Sequence, residues 1–169
     1  MAQLRPRSYK ELIQLFQSIC DDLIPVKFFN WGEVEDIEIN EPGFTEAQYP
    51  YVFLNPTSVS IIQGWNSYTI NLFVFELCDR DRTSILEAQD TSLQILQDIL
   101  SKIKMTGWVS YTEAGVNNIY GGSRVDATFD YPVNAIPIMD FNKNGAAGWQ
   151  ATLTITLKNP LDLQNAPYE

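Results

Sequence analysis

The chain has 169 residues and a formal net charge of −10, with 45% hydrophobic and 12% aromatic residues. This length fits one domain, and a domain of this size buries about 70% of its unfolded surface without a disulfide or a metal. An acidic chain with scattered Lys and Arg residues is poorly suited to grip nucleic-acid phosphates. The sequence contains no histidine, which removes the commonest general base and metal ligand.

We expect a single domain over residues 1–169, with a core at about 8–158 and a polar C-terminal tail at 159–169. No apolar stretch follows the first residues as in a secretory signal, so we expect synthesis in the cytosol. No apolar run approaches the roughly 20 residues of a membrane span. Cys20 and Cys78 are interpreted as thiols that pack as small hydrophobes, and a disulfide between them stays an alternative.

A first helix is predicted after Ser8. Ser8 and Glu11 have the spacing of a capping box, and Pro25 marks the end of the helical pattern. Apolar side chains recur between them at helical spacing: Tyr9, Leu12, Ile13, Phe16, Ile19, Cys20 and Leu23.

A second helix is predicted from the corner Asp79–Arg82, with Asp81 or Thr83 as its N-cap and Gly107 as its C-cap. Its apolar positions support about five turns. For Arg80 and Arg82 two interpretations stay open: local ion pairs with Asp79 and Asp81 at the helix entrance, or an ion pair at a subunit interface.

Extended segments fill the first half of the chain: Val26–Trp31, Glu33–Ile39, Tyr51–Leu54, Val59–Gln63 and Tyr68–Leu77. Glu33–Ile39 mixes acids with apolar residues and is expected to be an exposed strand or arm. Asn55-Pro56 is expected to close one strand, and Gly64–Ser67 to connect the next two. Tyr68–Leu77 carries apolar side chains on both faces, which indicates a central strand.

The second half is also predicted to be β. Trp108–Tyr111, Val125–Tyr131 and Trp149–Lys158 are expected strands, and the last alternates most cleanly. Thr112–Arg124 and Val133–Gly148 are expected to be long loops. The order helix, strands, helix, strands predicts an α+β fold: a mainly antiparallel sheet with two helices packed on one face and long loops.

Motifs for catalysis or phosphate binding are weak in this sequence. No Ser lies in a G-x-S-x-G elbow, and Gly121-Gly122 lacks the following Lys-Ser/Thr of a phosphate loop. Asp140–Gly145 matches the first six positions of an EF-hand loop, but Ala151 stands where the bidentate Glu is required. Short Asx-Gly segments commonly form turns. We therefore predict no catalytic, cofactor-binding or metal-binding residues, and a cation at Asp140–Gly145 stays open.

Two further groups of residues have alternative interpretations. The acidic residues could be a solvated face, a hard-cation site or paired carboxylates: Glu33, Glu35, Asp36, Glu38 and Glu41. The aromatic residues near the ends of predicted elements could be core or oligomer interface: Phe28, Phe29, Trp31, Trp65 and Trp149.

The stretch Tyr68–Ile103 joins the alternating strand YTINLFVFE, the corner DRDR and the helix EAQDTSLQILQDIL. Tyr49–Leu54 precedes it as a lead strand. These segments are similar to tail terminator, tail-completion and head–tail connector proteins of tailed bacteriophages, especially phages of Bacteroidetes hosts, including crAss-like phages. The similarity covers about the middle third of the chain and contains no catalytic signature.

This resemblance implies a structural, non-enzymatic virion protein that forms a sixfold or twelvefold homo-oligomeric ring at the neck or tail end. Adjacent connector, portal or tail proteins would be its partners, and DNA would pass through the lumen without specific binding. The contacts are expected from Thr112–Arg124, Val133–Gly148 and the two termini. The alternatives are a monomeric protein- or ligand-binding module and an enzyme that uses carboxylates or a metal.

Overall fold

The computed structural model describes residues 8–34, 37, 48–62, 64–79, 81–105, 109–113, 116–119, 127–141 and 145–158. Within them lie two helices, α1 (Tyr9–Asp22) and α2 (Arg82–Met105). The strands are β1 (Phe28–Trp31), β2 (Tyr51–Ile62), β3 (Trp65–Leu77), β4 (Val109–Glu113), β5 (Val116–Ile119), β6 (Ala127–Asp130), β7 (Asn134–Phe141) and β8 (Ala146–Lys158).

Helix α1 begins where the sequence predicts. Ser8 is the N-cap in an extended conformation, and its Oγ accepts a hydrogen bond from the Glu11 backbone N–H at 3.3 Å. This bond satisfies one of the backbone donors that the first turn of a helix leaves without a partner. The helix ends at Asp22, before Pro25. Cys20, on its buried face, is a free thiol.

Helix α2 begins at a capped acidic corner. Asp81 is the cap, because its Oδ1 accepts hydrogen bonds from the backbone N–H groups of Thr83 and Ser84, both at 2.9 Å. Ser84 Oγ in turn accepts from the Asp79 backbone N–H at 2.8 Å, which fixes the corner to the helix. The predicted C-cap Gly107 lies outside the described residues.

The strands form one sheet in the order β1-β2-β3-β8-β6-β4-β5, with β7 also on β8. The pairs β1–β2 and β4–β6 are parallel, and the other five pairs are antiparallel. β8 pairs with β3 along its whole length, from Ala146 opposite Leu77 to Lys158 opposite Trp65. Its other edge is shared, because β7 covers the N-terminal part and β6 the C-terminal part.

The core between the helices and the sheet confirms the predicted α+β class with both helices on one face. Alternate residues of β3 and β8 face the helices and are buried: Tyr68, Ile70, Leu72, Val74, Ala151, Leu153, Ile155 and Leu157. The helices contribute Phe16 from α1 and Ile99 from α2, both fully buried. Apolar residues on both faces of β3 predicted a central strand, and β3 lies between β2 and β8.

The opposite face of the sheet carries a second buried cluster, mostly aromatic. Its members are Ile37, Tyr49, Tyr51, Phe53, Phe73, Phe75 and Ala146. The rings of Phe73 and Phe75 stack at 5.9 Å, and Tyr51 lies 6.2 Å from Phe75. Ile37 and Tyr49 come from the connection between β1 and β2, so this connection helps to cover the second face.

The structure corrects two strand boundaries in the first half. Asn55-Pro56 does not end a strand, because β2 continues to Ile62 through an irregularity between Pro56 and Ser58. Proline is tolerated at a bulge or at an edge where its missing N–H needs no partner. The expected connection Gly64–Ser67 is also shorter, since β3 starts at Trp65 and Gly64 has a φ of 80°.

Both predicted long loops contain strands, so these predictions are wrong in part. The last two residues of β4 and the whole of β5 lie inside Thr112–Arg124 and pair antiparallel, with Thr112 opposite Asn117. The strand β7 occupies half of Val133–Gly148, and β8 begins within the same segment. The strand β7 contains Pro137, because a proline can lie in a strand that has an open edge.

Gly148 lies where two strands approach closely, and we predict that Gly148→Ala destabilises the protein. An added Cβ would collide with the Val74 carbonyl, which is backbone and cannot move aside alone. We expect a loss of about 2 kcal/mol or more in unfolding free energy, measured by urea denaturation. Gly64→Ala is the comparison. Its added Cβ meets nothing within 4 Å, so the backbone strain at a φ of +80° is the only source of destabilisation. Equal losses would contradict the close approach.

Tyr49 makes stability sensitive to alkaline pH. Burial, with smaller effects of Glu76 and Cys78, raises the pKa of Tyr49 from 10.0 to about 12. The folded state therefore binds more protons than the unfolded state between these values, and stability falls as the pH rises through them. We expect Tyr49→Phe to flatten this fall in urea unfolding at increasing pH. A slope identical to that of the unsubstituted protein would contradict the assignment.

Candidate functional site

The EF-hand-like segment joins two strands. Asp140 belongs to β7, Gly145 precedes β8 with a φ of 67°, and residues 142–144 lie outside the described part. The Cys78 backbone N–H donates to the Gly145 carbonyl at 2.9 Å, which holds the turn against the end of β3. The flanking helices of an EF-hand are replaced by strands, as expected for a turn-forming Asx-Gly segment.

The acidic segment is described only at Glu33, Val34 and Ile37. Ile37 is 6% exposed, belongs to the aromatic cluster, and donates its backbone N–H to the Val34 carbonyl at 3.1 Å. At this point the expected exposed strand or arm is wrong. Glu35, Asp36, Glu38 and Glu41 lie outside the described residues, so their role stays a prediction.

Most of the aromatic residues named as core or interface belong to the core. Phe29 and Trp149 pack against the helix-side cluster, and Phe28 packs against the second cluster. The Trp149 indole N–H donates to the Gln89 carbonyl at 2.8 Å, joining β8 to α2. Trp31 differs, because it is 49% exposed at the end of β1.

The structure describes only part of the remaining sequence candidates. Arg82 is exposed at the start of α2, whereas Arg80, Gly121 and Gly122 lie outside the described residues. Among the residues that the structure places, no three His, Cys, Asp or Glu side chains lie close enough to hold a metal ion. In the same residues, no helix is long and apolar enough to cross a membrane.

The outer edge of β2 is open over its second half. β1 covers Tyr51–Leu54 only, and the next backbone N–H, that of Gly32, still donates to the Leu54 carbonyl at 3.1 Å. The Asn55 side-chain amide then donates to the Gly32 carbonyl at 3.0 Å, which fixes the end of β1. Beyond this point β2 pairs with β3 alone among the described strands.

The open part of β2 has the composition of a segment that pairs with another strand. Thr57–Ile62 reads TSVSII, which contains β-branched residues and no charge. Val59 is 49% exposed and Ile61 is 79% exposed. Edge strands of monomeric proteins are usually short or protected by charged residues. This part of β2 lacks charged residues, and no described strand pairs with the backbone donors and acceptors on its outer side.

A groove of about 460 Å³ runs beside this edge on the helix side of the sheet. Its walls are Tyr9, Pro56, Thr57, Ser58, Val59, Ile61, Asn66 and Tyr68. The Tyr9 ring stacks on Tyr68 at 5.9 Å and meets Trp31 edge-on at 6.2 Å. Burial, and then Tyr68, raises the pKa of Tyr9, so this wall is uncharged at neutral pH. The buried Asn66 Oδ1 has no hydrogen-bond partner among the described residues.

The site therefore combines an open strand edge with an apolar groove, an arrangement that can bind an extended polypeptide. In strand addition, main-chain hydrogen bonds supply affinity and side-chain pockets supply specificity. A scan against protein-family models and a search of curated proteins found no match to this chain.

The sequence predicted Val59–Gln63 as an extended segment, but Asn55-Pro56 was expected to end the preceding strand, so one long strand with an open edge was not predicted. The available signal was the uncharged, β-branched run after Pro56. Its exposure depends on the short length of β1, and that length has no clear sequence signal.

We predict that Ile61→Lys makes the protein less prone to aggregate at high concentration. A lysine on the open edge opposes strand pairing between molecules, and removing an exposed apolar side chain should change unfolding free energy by less than about 0.5 kcal/mol. Leu86→Lys is the matched control, since Leu86 is 67% exposed on α2, away from the edge. Turbidity over time measures both variants. An equal effect of the two substitutions would contradict a special role for the edge.

Proposed function

We propose that this chain is a structural virion protein of a tailed phage. It is one subunit of a homo-oligomeric ring at the head–tail connector, the neck or the tail end. The ring joins adjacent connector, portal or tail proteins around the DNA channel and performs no catalysis. Its location is the virion, after synthesis in the host cytoplasm.

The observation that carries this proposal is the open, uncharged edge of β2 beside its apolar groove. A component that works by assembly requires surface of this kind, because interface cores are depleted in charge and rich in aromatic residues. Trp31 and Tyr9 supply aromatic surface at the groove, and Ile61 supplies the most exposed apolar side chain of the edge.

Two further features support the ring. The segments similar to tail terminator and connector proteins, Tyr49–Leu54 and Tyr68–Ile103, form the start of β2 and the continuous unit β3–α2. The net charge of −10 suits a channel that DNA must pass without sticking, because an acidic wall repels phosphates. The acidic residues of 33–41 are our candidates for this wall.

The native mass of the purified protein tests the proposal. We expect light scattering over a concentration series to give a defined sixfold or twelvefold species. Electron micrographs of the same sample should show annular particles. A strict monomer up to about millimolar concentration would count against the ring and favour a binding module.

The groove also favours a second candidate function, a monomeric module that binds an extended peptide. Its volume of about 460 Å³ lies within the range of ligand pockets, about 300–1,000 Å³. An NMR titration with an uncharged Val/Thr peptide would then shift the amides of Thr57–Ile61 at a one-to-one stoichiometry. If the peptide saturates the protein while the protein stays monomeric, the result would support the binding module over the ring.

A further inference from the structure

The sheet has a second open edge, on β7. Among the described strands, β7 pairs only with β8, through residues from Asn134 to Phe141. Ile136 is 62% exposed and Met139 is 65% exposed. The stretch from Asn134 to Met139 contains no charged residue, although 19% of the chain is charged. Like the open part of β2, the stretch from Asn134 to Met139 has no charged residue. Asp140 follows near the end of β7, and Pro137 offers no backbone N–H to a partner strand.

The two open edges lie on opposite sides of the same sheet and have complementary outlines. The open part of β2 starts where its neighbour β1 ends. The strands β6 and β7 follow each other along the same side of β8. β4 pairs with β6, so the open edge of β7 starts where β4 ends. Each open segment is thus bounded at one end by a short strand of the same chain. The two open segments have similar lengths: residues 56–62 in β2 and the eight residues of β7.

We propose that the open edge of β2 in one copy pairs with the open edge of β7 in the next copy. The sheet then continues from subunit to subunit. Two different uncharged edges on opposite sides of one molecule are what a head-to-tail contact requires, since each copy offers one edge of each kind. This contact is the one that joins the subunits of the ring. The closing of successive copies into a ring rests on the proposed function.

The polarity of the strands fits this contact. β2 and β8 both run antiparallel to β3, so they run in the same direction, whereas β7 runs antiparallel to β8. In a continued sheet, β2 therefore lies antiparallel to the β7 of the next copy. The proposed contact is therefore an ordinary antiparallel pair, in which the facing strands exchange main-chain hydrogen bonds.

The pleat sets the register. Val59 is opposite Tyr68 and Pro137 is opposite Trp149, and both of these partners pack against the helix-side core. Val59 and Pro137 thus project from the same face. Aligning the centres of the two segments places Val59 opposite Pro137 of the next copy. The neighbouring pair on the other face is then Ser60 opposite Ile136.

The offset between the two edges suits a closed ring. Val59 pairs with Tyr68, which pairs with Ile155 of β8. Pro137 pairs with Trp149 of β8. The offset between the two edges is therefore the six residues from Trp149 to Ile155. Six residues correspond to about 20 Å along the strand, and the four strands β2, β3, β8 and β7 to about 19 Å across it. Successive copies are then displaced at about 45° to the strands, close to the strand tilt of about 35–45° in closed barrels.

Disulfide trapping tests the contact. In the double variant Ser60→Cys with Ile136→Cys, the two new thiols lie on different copies at the proposed register. Within one chain they are about 25 Å apart, from three strand spacings and six residues of offset, so an internal disulfide is excluded. We expect mild oxidation to give a ladder of covalent multimers on a non-reducing gel, and dithiothreitol to return it to monomer.

Three controls define the background of this experiment. Through its one new thiol, each single cysteine variant can form only covalent dimers. The pair Ser60→Cys with Thr154→Cys keeps the same edge thiol but moves the second to β8, which has neighbours on both sides. The unsubstituted protein reports on the native thiols, of which Cys20 is 1% exposed and Cys78 half-buried. No ladder beyond these controls would overturn the proposed contact.

The experiment also separates this contact from the ring itself. A closed ring by light scattering without the 60–136 ladder would keep the proposed function and overturn this interface. A ladder that extends to open chains, with no closed species, would keep the interface and overturn the ring. A ladder that ends at six or twelve copies supports both.

Discussion

The antiparallel ladder between β3 and β8 is the interaction on which the rest of the structure depends. It is continuous over both strands, and it joins residues more than 80 positions apart in the chain, such as Thr69 and Thr154. Both helices pack against the face that this ladder presents, and the aromatic cluster forms on its other face. The strands added on either side are short or only partly paired. The open edges of β2 and β7 are therefore carried by a rigid centre.

The sequence predicted the parts of the fold that local chemistry determines. The caps at Ser8 and Asp81 are decided by side chains within one helical turn, and the alternation in β8 follows from one buried face. The continuity of β2 was missed because Asn55-Pro56 was expected to end a strand, and β7 was missed because Val133–Gly148 was expected to be a loop. Pro56 and Pro137 lie within these strands, and only the position of a strand in the sheet shows whether a backbone N–H is needed there.

The candidate site was harder to predict than the fold, because it is defined by incomplete pairing. The aromatic residues for which core and interface were both left open pack mostly against the core, as Trp149 and Phe28 show. Trp31 remains half-exposed because β1 ends beside it. Which backbone edges stay open is a property of strand lengths across the whole sheet, and no window of sequence around Thr57–Ile62 contains that information.

The bond between the Asn55 side chain and the Gly32 carbonyl has a consequence for the evolution of this surface. A side-chain amide occupies the carbonyl with which β1 would extend along β2. One asparagine side chain thereby stands where a main-chain group of β2 would otherwise pair with β1. Over evolution, a change at this residue would alter where β1 ends, and with it the length of the β2 edge that no described strand covers.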